Sequence, residues 1–114
     1  LFKKTGDRHG EAKILLGIGR LEGYLGHYSL ARSSLDQALS LFKNIRERRG
    51  QLEVLTSFGQ LEIDYGEHYE QAGNYLREAL SIAKDIADPW NESQILCALG
   101  HLEKRKGNYE RAYD

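Results

Sequence analysis

The chain has 114 residues, 40% of them hydrophobic and 29% charged, with a net charge of −1, enough for one domain and unlike a disordered tail. That balance gives no general attraction to nucleic acid, and no apolar run approaches the ~20 residues a membrane helix needs; a soluble protein with neither partner is expected. A single cysteine, Cys97, makes no internal disulfide, and without a signal-peptide core near the start the expected compartment is the cytoplasm.

In chain order, the opening LFKKTGDRHGEA is matched forty residues later by LFKNIRERRGQL, so residues 1–9 are expected to end a preceding repeat. Residues 10–49 form the first whole unit. Ile14, Leu15, Ile18, Leu21 and Leu25 recur at three- and four-residue steps, as one face of a first helix, A. After a break at Gly26, Leu30, Leu35, Ala38, Leu39, Phe42 and Ile45 do the same for a second helix, B. Residues 50–89 repeat the pair, and residues 90–114 begin a third, truncated one. The fold expected is all-α: one domain of stacked helix pairs that begins inside one repeat and ends inside another.

The register is written in columns. Gly19, Gly59 and Gly100, then Leu21, Leu61 and Leu102, then Glu22, Glu62 and Glu103, then Gly26, Gly66 and Gly107 stand 40 and 41 residues apart. Tyr28 with Ala31, Tyr69 with Ala72, and Tyr109 with Ala112 follow, the second copy carrying one extra residue (GEHY against GHY). Gly26, Gly66 and Gly107 are expected to end each helix A in the left-handed conformation that glycine tolerates. Asp7, Glu47 and Asp88 are expected to cap the helices A, Glu47 the weakest of the three, with Pro89 at a first helical position. Gly19, Gly59, Gly100, Ala31, Ala38, Ala72 and Ala79 keep side chains out of close helix joints, where overpacking costs ~1–3 kcal/mol.

These strings, above all IGRLEGYLGHYSLARSSLDQAL and FGQLEIDYGEHYEQAGNYLREAL, resemble a tetratricopeptide repeat array. The resemblance covers nearly the whole chain. Its copies are longer than the family's usual length of about 34 residues, because helix B continues through SLFKNIRER and SIAKDIAD. That longer form is similar to the arrays of kinesin light chains, of G-protein-signalling modulators, and of regulatory arms on bacterial signalling ATPases and transcription activators. The position commonly Tyr in helix A is here Glu22, Glu62 and Glu103, which puts the usual aromatic contact in doubt. The Glu column is expected to bond to Arg, Tyr or backbone groups of adjacent helices.

The resemblance implies an α-solenoid of antiparallel pairs whose A helices line a concave groove. Carried over by position, the groove residues are Lys13, Leu16, Arg20, Gly23 and Tyr24, then Glu53, Thr56, Gln60, Ile63 and Asp64, then Gln94, Cys97, His101, Lys104 and Arg105. The groove would run basic, acidic, basic, which suits a mixed-charge peptide. A protein-interaction scaffold is the function implied, with a partner peptide or helix in the groove; the alternative is a sensor or oligomerisation arm of a larger signalling ATPase or transcription regulator. Self-association through uncovered terminal helices is a further expectation.

Chemistry finds no foothold in the residues. His9, His27, His68 and His101 are scattered, whereas zinc needs three or four converging ligands, and neither a phosphate-binding loop nor a nucleophile elbow is present. GIGRLEG misses the dinucleotide spacing. Neither an enzyme, a cofactor nor a metal is expected. Charge does divide the copies: residues 10–49 hold seven Lys or Arg against four acids, and residues 50–89 two against eight. Such neighbours attract, at ~0–1 kcal/mol per exposed pair. The short RERR and KRK runs are expected to be solvated helix ends, and Trp90 to pack over the preceding helix end.

Overall fold

Among the described residues five α-helices follow one another: α1 (Thr5–Tyr24), α2 (Tyr28–Asn44), α3 (Arg48–Leu61), α4 (Tyr69–Asp85) and α5 (Pro89–Ala112). A π-turn, Glu62–Gly66, prolongs α3. This computed structural model describes residues 5–66 and 68–112, with side chains described for 7–65 and 68–107. The expected repeat end at residues 1–4, Glu67 and the side chains of Tyr109 and Ala112 lie outside them. Among the described residues there is no strand. The helices form a slab of 57 × 32 × 17 Å.

Each helix packs on its successor, and α1 also touches α3 as α3 touches α5. Two apolar clusters result. Ala12 and Leu16 of α1, Ala31, Leu35, Ala38 and Phe42 of α2, and Val54, Phe58 and Leu61 of α3 make one. Leu52, Leu55 and Ile63, with Ala72, Leu76, Ala79, Ile82 and Ala83 of α4 and Ile95 and Leu102 of α5, make the other. The helices are thus sequential layers, and their small residues mark the joints. A Cβ on Gly19 would stand 2.7 Å from Leu35, and one on Gly59 would stand 2.6 Å from Leu76, closer than carbon atoms approach. At Gly100 no described atom lies within 4 Å, so among the described residues the third member of that column meets no joint.

Helix ends agree with the sequence in part. Gly26 adopts φ +83°, and the following amide of His27 reaches back to the Glu22 carbonyl at 2.8 Å, a left-handed cap closing α1. Gly107 does not repeat this: α5 runs through it to Ala112. Among the described residues no helix follows α5 to draw the chain back, and glycine alone does not end a helix. Glu47, expected as the weakest cap, accepts from the amides of Arg49 and Gly50 at 3.1 and 3.3 Å. Asp88 accepts from the amide of Asn91 at 3.1 Å. Asp7 instead lies within the first turn of α1.

Two other expectations need correction. Helix A of the first copy was to bury Ile14, Ile18, Leu21 and Leu25, yet all four are exposed, and Ala12, Leu16 and Gly19 are buried in their place. α1 carries two apolar faces, and periodicity alone does not choose between them. Trp90 is 71% exposed rather than packed over a helix end.

Candidate functional site

Between the C-terminal halves of α1 and α3 lies a cleft of about 250 Å³. Its floor is apolar: Gly19 and Gly23 of α1, Leu35 of α2 and Leu61 of α3. Gly23 opens it. The equivalent position in the second copy is Ile63, which is fully buried, whereas a Cβ on Gly23 would already stand 3.4 Å from Leu61 Cδ1. Any branched side chain there would fill the space.

The rim is polar and aromatic. Arg20 Nε donates to Ser57 Oγ at 3.1 Å, which ties α1 to α3. Gln60 Nε2 donates to Asp64 Oδ1 at 3.0 Å, one turn along. Tyr24 and Tyr65, both exposed, complete the wall. A guanidinium and a carboxylate thus stand at the edge of an apolar floor, an arrangement that orients a ligand by its polar groups and holds it by an apolar side chain.

Beside the cleft the π-turn carries a buried carboxylate. Glu62 is 0% exposed, and every partner it needs is present. Tyr28 O–H donates to Oε1 at 2.5 Å, Arg32 Nη1 donates to Oε2 at 3.0 Å, and His68 Nδ1 lies 3.0 Å from the same oxygen. Because an ionised carboxylate only accepts, Nδ1–H is the donor to it. Burial, then the hydrogen bond and charge of Glu62, hold the Tyr28 phenol above its ordinary pKa of 10.0. Burial is the strongest single influence on Arg32 and works against its charge, but Glu62, Tyr75 and Tyr28 together outweigh it and leave Arg32 raised. The guanidinium also lies 5.8 Å from the Phe58 ring centroid, and Phe58 stacks on Tyr75 at 4.9 Å. This network joins α2, α3 and the entry to α4 in one knot.

The sequence-predicted groove residues divide by place. Arg20, Tyr24, Gln60 and Asp64 converge on the cleft. Lys13 and Glu53 line a second, smaller cavity of about 60 Å³ with His9, Phe42, Glu47, Arg49 and Gly50. His101 and Lys104 are exposed on α5, with Arg105 half-buried beside them, and none of the three lines either cavity. Leu16 and Ile63 are not groove residues at all: both are buried in the core, because each faces the B helix of its own pair. Thr56 is half-buried, its hydroxyl donating to the Leu52 carbonyl at 2.8 Å.

Two features of the site escaped the residue-by-residue reading. Tyr65 stands in the column of Leu25, where an aromatic in place of an aliphatic residue was the available signal. The Glu62 knot had a partial signal in the repeated Glu, but its partners lie 30 and 34 residues away. The column is also uneven: Glu22 pairs with His27 of its own turn, at 2.7 Å, and Glu103 is exposed.

Among the described residues no group of three or more His, Cys, Asp or Glu is placed to hold a metal ion, and no helix is long and apolar enough to cross a membrane. Compared with known protein families, curated proteins and solved structures, the chain matches none.

Proposed function

We propose that the chain is a tetratricopeptide-like α-solenoid of stacked antiparallel helix pairs, a non-catalytic interaction scaffold that takes a partner peptide in the α1–α3 cleft. The observation that carries this reading is the convergence of Arg20 and Tyr24 of the first copy with Gln60 and Asp64 of the second. Gln60 and Asp64 occupy the same register positions as Arg20 and Tyr24, forty residues on. An apolar floor of about 250 Å³ accepts one large side chain, and Arg20 and Asp64 meet opposite charges on the flanking residues. Main-chain groups of an extended peptide find donors and acceptors in Gln60, Ser57 and Asp64. The reading places the protein in the cytoplasm.

Selection from a displayed peptide library tests it. Enriched peptides should share one Leu, Phe or Tyr flanked by an acid and a base. Gly23→Leu, which fills the floor, should abolish capture while helical circular dichroism is unchanged, and charge reversal at Arg20 or Asp64 should weaken capture at least tenfold. Equal capture by parent and Gly23→Leu would remove the cleft as the site.

A further inference from the structure

The side of α1 turned away from the core carries an apolar stripe that the cleft does not use. Ile14, Ile18, Leu21 and Leu25 are between 42% and 65% exposed, while Ala12 and Leu16 hold the opposite side in the core. They follow one another at steps of four, three and four residues, the alternation by which one helix meets another in a seam. That spacing reads the same in either direction. Two copies of α1 laid antiparallel therefore bring all four residues into register at once. Ile14 faces Leu25 of the second copy, Ile18 faces Leu21, and each contact occurs twice about a two-fold axis.

A tyrosine and a glycine select the same register independently. Tyr24 is 86% exposed and lies two turns from Gly17 on one flank of the stripe. Gly17 is exposed, and no described atom lies within 4 Å of where its Cβ would be. Glycine in an exposed helix interior is a poor choice beside alanine, and among the described residues no contact explains it. In the antiparallel pair Tyr24 of each copy comes against Gly17 of the other, where its ring can lie on bare backbone. The chain packs a ring on a glycine in this way elsewhere: a Cβ on Gly50 would stand 2.2 Å from the Phe42 ring. On the other flank Leu15 meets the methylene stem of Glu22, whose carboxylate is already held by His27 at 2.7 Å. A parallel pair would instead align two helix dipoles and keep Tyr24 two turns from Gly17.

We propose that the chain forms a two-fold dimer through this seam, the occupant of the stripe being α1 of a second copy run antiparallel. The stripe and Tyr24 of two copies offer each other roughly 1,000 Å², about the least that a specific interface buries, so the dimer is of micromolar affinity. Tyr24 belongs to both features: it is a wall of the cleft, and the second copy's Gly17 fixes that wall from behind. The seam itself stands whether or not the cleft binds a peptide.

Sedimentation of the 114-residue chain between about 1 and 500 μM, a range that brackets such an affinity, should show a monomer–dimer equilibrium. Ile18→Gln should raise its dissociation constant at least tenfold while helical circular dichroism is unchanged. Direction is read by cross-linking in a Cys97→Ser background, because Cys97 is exposed. When the Ile14→Cys and Leu25→Cys chains are mixed and mildly oxidised, the mixed disulfide should exceed either homodisulfide at least tenfold. In the proposed register the two copies of Ile14 stand about 16 Å apart along the helix axis, too far to join. A chain that stays monomeric throughout, a dimer indifferent to Ile18→Gln, or homodisulfides as abundant as the mixed one would overturn the proposal.

Discussion

A single buried carboxylate decides much of what happens at the residue scale. Glu62 has lost all contact with water, and its charge is answered by Arg32, Tyr28 and His68. Breaking a fully buried ion pair costs ~3–5 kcal/mol, but the Arg32 side chain keeps 36% of its exposure and can turn to solvent. Glu62→Gln should therefore cost about 2 kcal/mol, near the value of hydrogen bonds to a charged group, as read by urea denaturation. A loss under ~0.5 kcal/mol, typical of substitutions away from such features, would mean that the charge is not held. Tyr28 adds a pH dependence. Because its folded pKa is raised above 10.0, its contribution is complete below pH 10 and is lost as pH rises through the folded value. Thermal midpoints taken between pH 9 and pH 11.5 should fall more steeply for the parent than for Tyr28→Phe; parallel curves would contradict this. The Glu was legible in sequence as a repeated column, but Glu22 and Glu103 share that column without sharing the burial. The difference lies in the widened turn and in the partners Arg32 and Tyr28, 30 and 34 residues off.

The helical elements owe their ends to local chemistry, and there the sequence is most readable. Gly26 at φ +83° was foreseeable from the glycine column. The ends of α2 and α4 were not, because Arg46 and Ala87 take the same left-handed conformation at φ 57° and 55°. In both, the next amide returns to a carbonyl five residues back, Glu47 to Phe42 and Asp88 to Ala83, each at 2.9 Å. A side chain in that conformation costs ~1–2 kcal/mol, partly balanced by the freer unfolded chain that glycine brings. Ala87→Gly should raise stability by ~0.5–1 kcal/mol, visible as a higher thermal midpoint; a lower midpoint would show that Ala87 makes a contact worth more than its strain. The π-turn belongs to the same scale. No local pattern marks it: the extra residue of GEHY follows Gly66, and Gly59 to Gly66 spans the same seven residues as Gly19 to Gly26. That the turn brings Glu62 and Ile63 together into the interior is a consequence of contacts with α2 and α4, which no local pattern states.

For the whole molecule, the repeat period gave the number and order of helices, the alanine joints and the glycines at Gly19 and Gly59. It also gave the alternation of charge that recurs as contacts between copies: Arg48 with Asp85 at 3.2 Å, Arg49 with Asp88, and Arg32 with Glu62. Which apolar face of α1 meets solvent was not legible, since Ala12 and Leu16 on one side and Ile14 and Ile18 on the other both read as core. The proposed cleft was legible by half: Arg20, Tyr24, Gln60 and Asp64 by position, its apolar floor only through the oddity of Gly23. Amide chemical-shift mapping of a library-selected peptide onto the labelled chain tests the proposed function most directly. If the cleft is the site, the perturbed amides cluster at Gly19, Arg20, Gly23 and Tyr24 of α1, at Ser57, Gln60 and Leu61 of α3, and at Asp64 and Tyr65, and they vanish in Gly23→Leu. Perturbations centred on α5 or on the back of α1, or unaffected by Gly23→Leu, would contradict it.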